Sequence, residues 1–215
     1  MSKKETIDVF LEKSDVEKLI AGFHFDYSKM AEISNLYEAI LPLLKVTYFK
    51  GEMEGNDEVR RFAVAMTLGS GIDELQQLYL NNEAIEEAYM VDCIGSELLM
   101  KAYSEVAKRI QEETGFFVTK MDFLGDEYPI SFTEELFSIT KPEGISYNEA
   151  FVLTPSKSVT MIISVSNTRP KNDPCHICIS CRNYNCIFNE NHEKKDENEI
   201  PLTYGSMQIL GKRIV

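Results

Sequence analysis

The sequence predicts a single α+β domain in which a twisted antiparallel sheet packs against helices. Two segments rich in β-branched and aromatic residues are separated by turn residues, and a long segment carries apolar residues at helical spacing. No repeat and no proline-rich linker divides the 215 residues. Because a chain of this length can bury a core without disulfide bonds, one domain built from successive strands and helices is the expected architecture.

The N-terminal part predicts two short helices. Ser14 and Glu17 have the spacing of a capping box, in which two side chains satisfy backbone N–H groups at a helix start. Gly22 is expected to end this helix. A second helix is predicted over residues 33–44, and Pro42 marks its end because proline cannot continue a helix.

Two strands are predicted next. Residues 45–50 and 58–67 carry β-branched and aromatic side chains at close to period two, and the turn residues 55–57 separate them. This pattern predicts an antiparallel pair. Gly69 breaks the second strand, and a short helix is expected after it.

The longest predicted helix covers residues 83–114. Apolar residues recur along it at helical spacing, and Gly115 follows in a good C-cap position. Such a stripe is typical of a core face rather than of a cofactor site. Cys93 lies on this helix, apart from the other cysteines, and is expected to be a small buried apolar residue.

The C-terminal half predicts further strands and one short helix. Residues 116–120, 150–154 and 158–166 are strand-like, and the last of these is the most strand-like segment of the chain. The short helix is predicted over residues 134–138, with Thr133 as its cap.

Charge and hydropathy limit the classes of partner. The chain has 22 Lys and Arg against 35 Asp and Glu, a net charge of -13, which repels nucleic acid and anionic membrane surfaces. No segment resembles a signal peptide or approaches the roughly 18 apolar residues of a membrane span. We therefore expect a cytoplasmic protein with neither nucleic acid nor membrane as a partner.

Four of the five cysteines lie close together near the C-terminus, separated by two, two and four residues. Short Cys-x2-Cys turns aim both thiolates at one point, so the cluster predicts a metal site that holds zinc or an iron–sulfur cluster. The spacing departs from the bacterial ferredoxin pattern, and His176 or His192 could replace a thiolate on zinc. Free thiols are the alternative. The predicted metal ligands are Cys175, Cys178, Cys181 and Cys186.

Several stretches, taken in order, carry a family resemblance. Residues 62–69 end in Thr-Leu-Gly, residues 88–97 lie on the long helix that follows, and residues 155–159 read Pro-Ser-Lys-Ser-Val. The spacing Cys178-x2-Cys181-x4-Cys186 is similar to a C-terminal signature of stand-alone members. Together these stretches resemble the activation (reactivation) domain of cobalamin-dependent methionine synthase and the small proteins similar to it.

The resemblance implies a C-shaped α+β domain over residues 1–215, with the cysteine-rich segment 175–186 at its end. It also implies binding of S-adenosylmethionine and contact with a corrinoid (cobalamin)-binding protein, so that an oxidised cobalt can be reduced and remethylated. The family's ligand loop, Arg-x-x-Pro-Gly-Tyr, corresponds to residues 120–130 here. The cofactor-binding residues that follow from the resemblance are Lys120, Asp126, Tyr128 and Lys157.

This loop departs from the family pattern. Lys120 stands in the place of the arginine, and residues 123–125 read Phe-Leu-Gly instead of Pro-Gly-Tyr. A lysine offers a point charge where arginine offers a planar fork for a carboxylate, and leucine adds a side chain where glycine lets backbone approach a ligand. No nucleophile–base arrangement stands out, so no catalytic residue is assigned.

Two interpretations follow. In the first, the chain is a stand-alone activation-domain-like protein that assists a corrinoid-dependent methyltransferase system by reactivation or methyl transfer, with S-adenosylmethionine as ligand. In the second, it is a non-enzymatic metal-binding, iron–sulfur or electron-transfer accessory that has lost the S-adenosylmethionine site. The altered loop favours the second, and the retained pattern favours the first.

Overall fold

The computed structural model describes residues 2–55, 58–125 and 127–170. Five strands form one antiparallel sheet in the order β1-β2-β3-β7-β4, and two short strands form a separate hairpin, β5-β6. The strands are β1 (Lys3–Thr6), β2 (Thr47–Met53), β3 (Val59–Thr67), β4 (Phe117–Phe123), β5 (Ser146–Tyr147), β6 (Leu153–Thr154) and β7 (Ser158–Ser166). The helices are α1 (Lys13–Gly22), α2 (Met30–Ile40), α3 (Gly71–Asn81), α4 (Ile85–Thr114) and α5 (Thr133–Thr140).

Helices cover both faces of the sheet. On one face, α1, α2 and α4 pack over a large apolar core that includes Tyr48, Leu98 and Ile163, all fully buried. On the other face, α5 packs against the middle strands through Leu136, which contacts Ile162. The predicted fold class, a single α+β domain with an antiparallel sheet and packed helices, is confirmed.

The strand predictions hold for the centre of the sheet. β2 and β3 form the expected antiparallel hairpin, and β7 occupies the predicted residues 158–166. β4 extends to Phe123, three residues beyond the predicted end. The predicted strand 150–154 is reduced to two residues that pair with β5 outside the main sheet. The edge strand β1 was not predicted, because its Lys-Lys-Glu-Thr sequence has no apolar alternation.

The first helix begins differently from the prediction. Its N-cap is Glu12, and the capping box joins Glu12 to Asp15 instead of Ser14 to Glu17. The backbone N–H of Glu12 donates to Asp15 Oδ2 at 2.8 Å. A carboxylate accepts from an N–H group as a hydroxyl does, so both pairs fit the motif and tertiary packing selects the earlier one.

The other helices agree more closely. α4 ends at Thr114, and Gly115 takes the left-handed conformation (φ 69°) expected of a C-cap glycine. Cys93 is buried as predicted, and burial raises the pKa of its thiol to about 11. α2 ends at Ile40, so the predicted end was too late, and Pro42 lies in the 3₁₀ turn that follows. Thr133 begins α5 but donates its hydroxyl to Ile130 O at 2.7 Å, and Phe132 is the N-cap.

Candidate functional site

The candidate site lies on the edge strand β4, on the face of the sheet that carries α5. A β-bulge between Val118 and Lys120 shifts the register of β4 against β7. After the bulge, Lys120 lies opposite Ser164 and Asp122 lies opposite Ile162. Because cross-strand partners share a face, both charged side chains project on the side of Ile162, which contacts α5.

Lys120 is held by two carboxylates. Its Nζ lies 2.7 Å from Asp122 Oδ1, and it also forms an ion pair with Glu127. Partial burial works against the charged ammonium, but the hydrogen bonds to Asp122 and Glu127 outweigh it, so the pKa of Lys120 is raised. Asp122 is almost buried, whereas the Lys120 and Glu127 side chains are about two-fifths exposed (43% and 41%). Lys120 therefore keeps its charge at neutral pH, and the cluster remains open to solvent.

The loop after β4 is a tight turn. The Gly125 N–H donates to Tyr128 O at 2.8 Å, and Leu124 and Tyr128 form an isolated bridge. Gly125 takes a φ of 103°, which favours glycine, and a Cβ there would meet no atom within 4 Å. The glycine of the family's Pro-Gly-Tyr pattern would fall on Leu124, and here the glycine stands one position later, at Gly125. Its backbone has open space around it that a ligand can approach.

An aromatic pair lies beside the charged cluster. The rings of Tyr128 and Phe132 are tilted against each other with centroids 5.2 Å apart. Both are partly buried against the apolar cluster of Ala63, Leu136 and Ile162. A planar ligand could use this partly exposed aromatic surface.

Arg61 adds a second cation to this face, which the sequence reasoning did not identify. Arg61 on β3 lies opposite Ser164, so Arg61 and Lys120 flank the same β7 residue. Two strand spacings separate their backbones, about 10 Å. Arg61 is exposed and forms no ion pair with any residue that the structure describes. It offers the planar guanidinium that β4 lacks.

Lys157 lies elsewhere. It precedes β7, seven residues from Ser164, which is about 23 Å along an extended strand. Its side chain is buried against α4, where Nζ lies 2.8 Å from Asp92 Oδ1 and donates to Ser96 Oγ at 3.0 Å. The structure thus places Lys120 against Glu127, the neighbour of Tyr128, and separates Lys157 from this loop.

The remaining predicted site residues lie outside the described residues. These are Asp126 and the four predicted metal ligands, Cys175, Cys178, Cys181 and Cys186. Within the described ranges, no group of three or more His, Cys, Asp or Glu side chains could hold a metal ion. The metal site therefore stays a prediction from spacing.

Asp122 was also absent from the predicted site. The predicted strand stopped at Lys120, which left Asp122 in a loop. The alternation of strand side chains, continued by two residues, would have placed Asp122 on the same face as Lys120. Arg61 could not be found in this way, because its proximity to Lys120 depends on β7 lying between β3 and β4.

A separate depression of about 170 Å³ lies between the end of β1 and the turn after α2. Apart from Asp8, its lining is apolar and includes Phe10 and Leu44. The loop after β4 is the better candidate for a ligand site, because it brings charged and aromatic side chains together. None of the helices in the described part of the chain has the length and apolar character needed to cross a membrane.

The fold and the loop together define an α+β domain with a charged, aromatic-lined edge. No protein-family model matches the sequence, and no curated protein matches it. Among solved structures, it is similar to the MetH reactivation domain bound to AdoHcy, with a TM-score of 0.54 and 9% sequence identity. The match covers 78% of each chain. At this identity the similarity shows the fold, and it confirms the activation-domain-like fold that the sequence resemblance implied.

Proposed function

We propose that this chain is a stand-alone activation-domain-like protein that binds S-adenosylmethionine or S-adenosylhomocysteine at the loop after β4 and assists a corrinoid-dependent methyltransferase system. The observation that carries the proposal is the open cluster of Lys120, Asp122 and Glu127 on β4, within a fold similar to a reactivation domain solved with AdoHcy. A corrinoid-binding protein is the proposed partner.

The charge pattern suits the amino-acid end of such a ligand. A free amino acid carries one carboxylate and one ammonium group. When it enters the cluster, its carboxylate can replace a protein carboxylate at Lys120 and its ammonium can pair with Asp122 or Glu127. The number of opposite-charge contacts is kept, so the ion pairs of the free protein do not prevent binding.

Arg61 can complete the carboxylate contact. Its guanidinium supplies two parallel donors, and it is unengaged by other described residues. The adenine ring would then lie against Tyr128 and Phe132, whose partly exposed rings provide an aromatic surface. Asp126, in the same loop, provides a further carboxylate close in sequence to the cluster.

Titration calorimetry with S-adenosylhomocysteine tests the ligand part. We expect saturable binding that Lys120→Ala weakens by about tenfold or more, since a charged contact is lost. Lys108→Ala is the matched control, because Lys108 is an exposed lysine on α4 whose ion pair to Glu105 is long (3.9 Å). Absence of binding by the unsubstituted protein at millimolar ligand would contradict this part of the proposal.

The partner claim needs a separate measurement. Mixing the protein with purified corrinoid-binding proteins in the cob(II)alamin form and with a low-potential one-electron reductant, and following reduction to cob(I)alamin and its remethylation by visible absorption, tests it directly. We expect a faster return of methylcobalamin in at least one pairing, with S-adenosylmethionine as the methyl donor. Unchanged rates in every pairing would contradict the assisting role.

A second candidate function is favoured by the altered loop, in which Lys120 stands in place of the planar guanidinium of the family pattern and Leu124 in place of its glycine. In this case the chain is a non-enzymatic accessory whose cysteines, Cys175, Cys178, Cys181 and Cys186, hold zinc or an iron–sulfur cluster. Metal and acid-labile sulfide analysis of protein purified without oxygen, beside a Cys178→Ser/Cys181→Ser variant, tests it. Metal lost in the variant, together with no adenosyl-ligand binding, would favour this candidate over the first.

A further inference from the structure

The helical hairpin α3–α4 carries an unusual charge pattern. From Phe62 to Met100 the sequence contains no Lys, Arg or His. Over the same residues it contains seven carboxylates, so this part of the chain has a formal charge of -7, about half of the protein's total of -13. The seven are Asp73, Glu74, Glu83, Glu86, Glu87, Asp92 and Glu97.

Three of the seven carboxylates lie at the corner of the hairpin. Glu83 lies in the turn between the helices, and Glu86 and Glu87 lie in the first turn of α4. The Ala84 N–H donates to Tyr79 O at 3.0 Å, which holds the end of α3 beside the start of α4. Lys29 pairs with Glu86 at 2.9 Å but also with Glu32, so it leaves the region acidic.

An apolar patch lies at the same corner. Ile85 is 70% exposed and Tyr89, one helical turn later on the same face, is 49% exposed. Phe25 packs against the Tyr89 ring with centroids 5.5 Å apart and extends the apolar surface. Leu78 and Leu80 on α3 are also exposed (56% and 44%). Single exposed apolar residues are common, but here Ile85 and Tyr89 share one helix face with Phe25 beside them and the acidic residues of the first turn of α4 next to them.

This surface is separate from the proposed ligand site. α4 packs on the face of the sheet opposite to α5, whereas Lys120 and Asp122 project on the α5 side. The adenosyl-ligand proposal gives Ile85 and Tyr89 no role, and both side chains stay largely exposed although the Tyr89 ring contacts Phe23 and Phe25. The rim carboxylates Glu83 and Glu87 also disfavour pairing of this corner with its own copy, because two like-charged rims would face each other.

We propose that the α3–α4 corner, formed by Phe25, Ile85 and Tyr89 with the rim Glu83, Glu86 and Glu87, is a docking surface for a basic amphipathic helix of a partner protein. The apolar side chains of such a helix would cover Ile85 and Tyr89, while its flanking lysines or arginines would pair with the rim. The inference is independent of ligand binding at the loop after β4.

The test uses a fluorescein-labelled peptide built only of leucine and lysine at amphipathic helical spacing, titrated with the full chain and followed by anisotropy. We expect saturable binding that Ile85→Ser/Tyr89→Ser and, separately, Glu83→Gln/Glu87→Gln each weaken by about tenfold. Two matched controls change the same kinds of residue elsewhere. Phe10→Ser/Val152→Ser removes two exposed apolar side chains, and Glu134→Gln/Glu135→Gln removes two carboxylates of α5. Both controls should stay within about twofold of the unsubstituted protein.

Three results would overturn the proposal. The first is equal weakening by the control variants, which would show attraction to the net charge of the chain instead of to this corner. The second is no saturable binding of the leucine–lysine peptide. The third is a dimer in sedimentation that Ile85→Ser/Tyr89→Ser dissociates, because the corner would then be covered by a second copy. Circular dichroism of each variant checks that the fold is unchanged.

Discussion

Glu97 is a buried carboxylate that lacks a full set of partners. It lies on α4 with only 7% of its surface exposed, and its Oε2 has no hydrogen-bond partner among the described residues. Burial raises the pKa of Glu97, and the nearby Asp15 carboxylate raises it further, while Lys101 and Lys18 act in the opposite direction. The ionised form is therefore disfavoured in the folded protein.

This environment predicts a pH-dependent stability. Because the folded pKa of Glu97 lies above its unfolded value, its contribution is favourable below the unfolded pKa and is lost as pH rises through the folded pKa. Glu97→Gln, which cannot ionise, should raise the free energy of unfolding at pH 7 by roughly 1 kcal/mol and have little effect at pH 4. Urea unfolding at both pH values measures this.

Glu112→Gln is the control for this prediction, since Glu112 is exposed on the same helix. It should change stability little at either pH. A Glu97→Gln variant that is no more stable at pH 7, or that gains equally at pH 4, would contradict the account of Glu97.

Helix α4 ends at a left-handed C-cap residue, Gly115. Gly115 adopts a left-handed φ of 69°, and a Cβ there would meet nothing within 4 Å. Gly115→Ala should therefore destabilise by backbone strain alone, by about 1 kcal/mol, whereas Gly115→Asn should lose less because asparagine tolerates this conformation. Urea unfolding of both variants compares them. Equal losses for the two would argue against strain as the cause.

Helix α5 packs closely on the sheet at Gly51 of β2, where the absence of a side chain leaves room for Ile139. A Cβ at Gly51 of β2 would lie 2.6 Å from Ile139 Cγ2 and 3.0 Å from Ile139 O. Gly51→Ala should push α5 from the sheet and lower the free energy of unfolding by about 1–3 kcal/mol. Since α5 follows Tyr128 and Phe132 directly, adenosyl-ligand affinity should fall as well.

The double variant Gly51→Ala/Ile139→Ala tests the cause of this loss. Ile139→Ala removes Cγ2 and so relieves the closest contact, but the contact with the Ile139 backbone oxygen remains. The double variant should therefore lose less stability than the sum of the losses of the two single variants. Additive losses would contradict direct contact as the mechanism.

The elements also show which parts of the fold are predictable from sequence. β7 and α4 were predicted well because their patterns are long and strongly periodic. β1 has four residues without alternation, and it becomes a strand because β2 offers it an edge. Of the residues predicted to bind a cofactor, Lys120 pairs with Glu127, the neighbour of Tyr128, whereas Lys157 has its own partners on α4. Arg61 lies near Lys120 only because of the sheet order, which the sequence pattern does not reveal.

At the scale of the whole molecule, excess negative charge should oppose folding. With a net charge of -13, compaction brings like charges together. Residues 62–100 alone have a formal charge of -7. Screening is weak at about 0.01 M salt, where the Debye length is about 30 Å, and stronger at about 0.1 M, where it is about 10 Å. Urea unfolding should thus give a higher free energy of unfolding at the higher salt concentration. A fall in stability with salt would mean that the surface ion pairs outweigh the repulsion.

The central claim is that the edge strand β4 and its loop bind an adenosyl ligand on this fold. Amide hydrogen exchange with and without saturating S-adenosylhomocysteine tests the claim most directly, because it locates binding as well as detecting it. We predict slower exchange over residues 117–136, which include Lys120 and Tyr128, with little change in α3 and the first turns of α4. Unchanged exchange throughout, or protection confined to other elements, would contradict the claim.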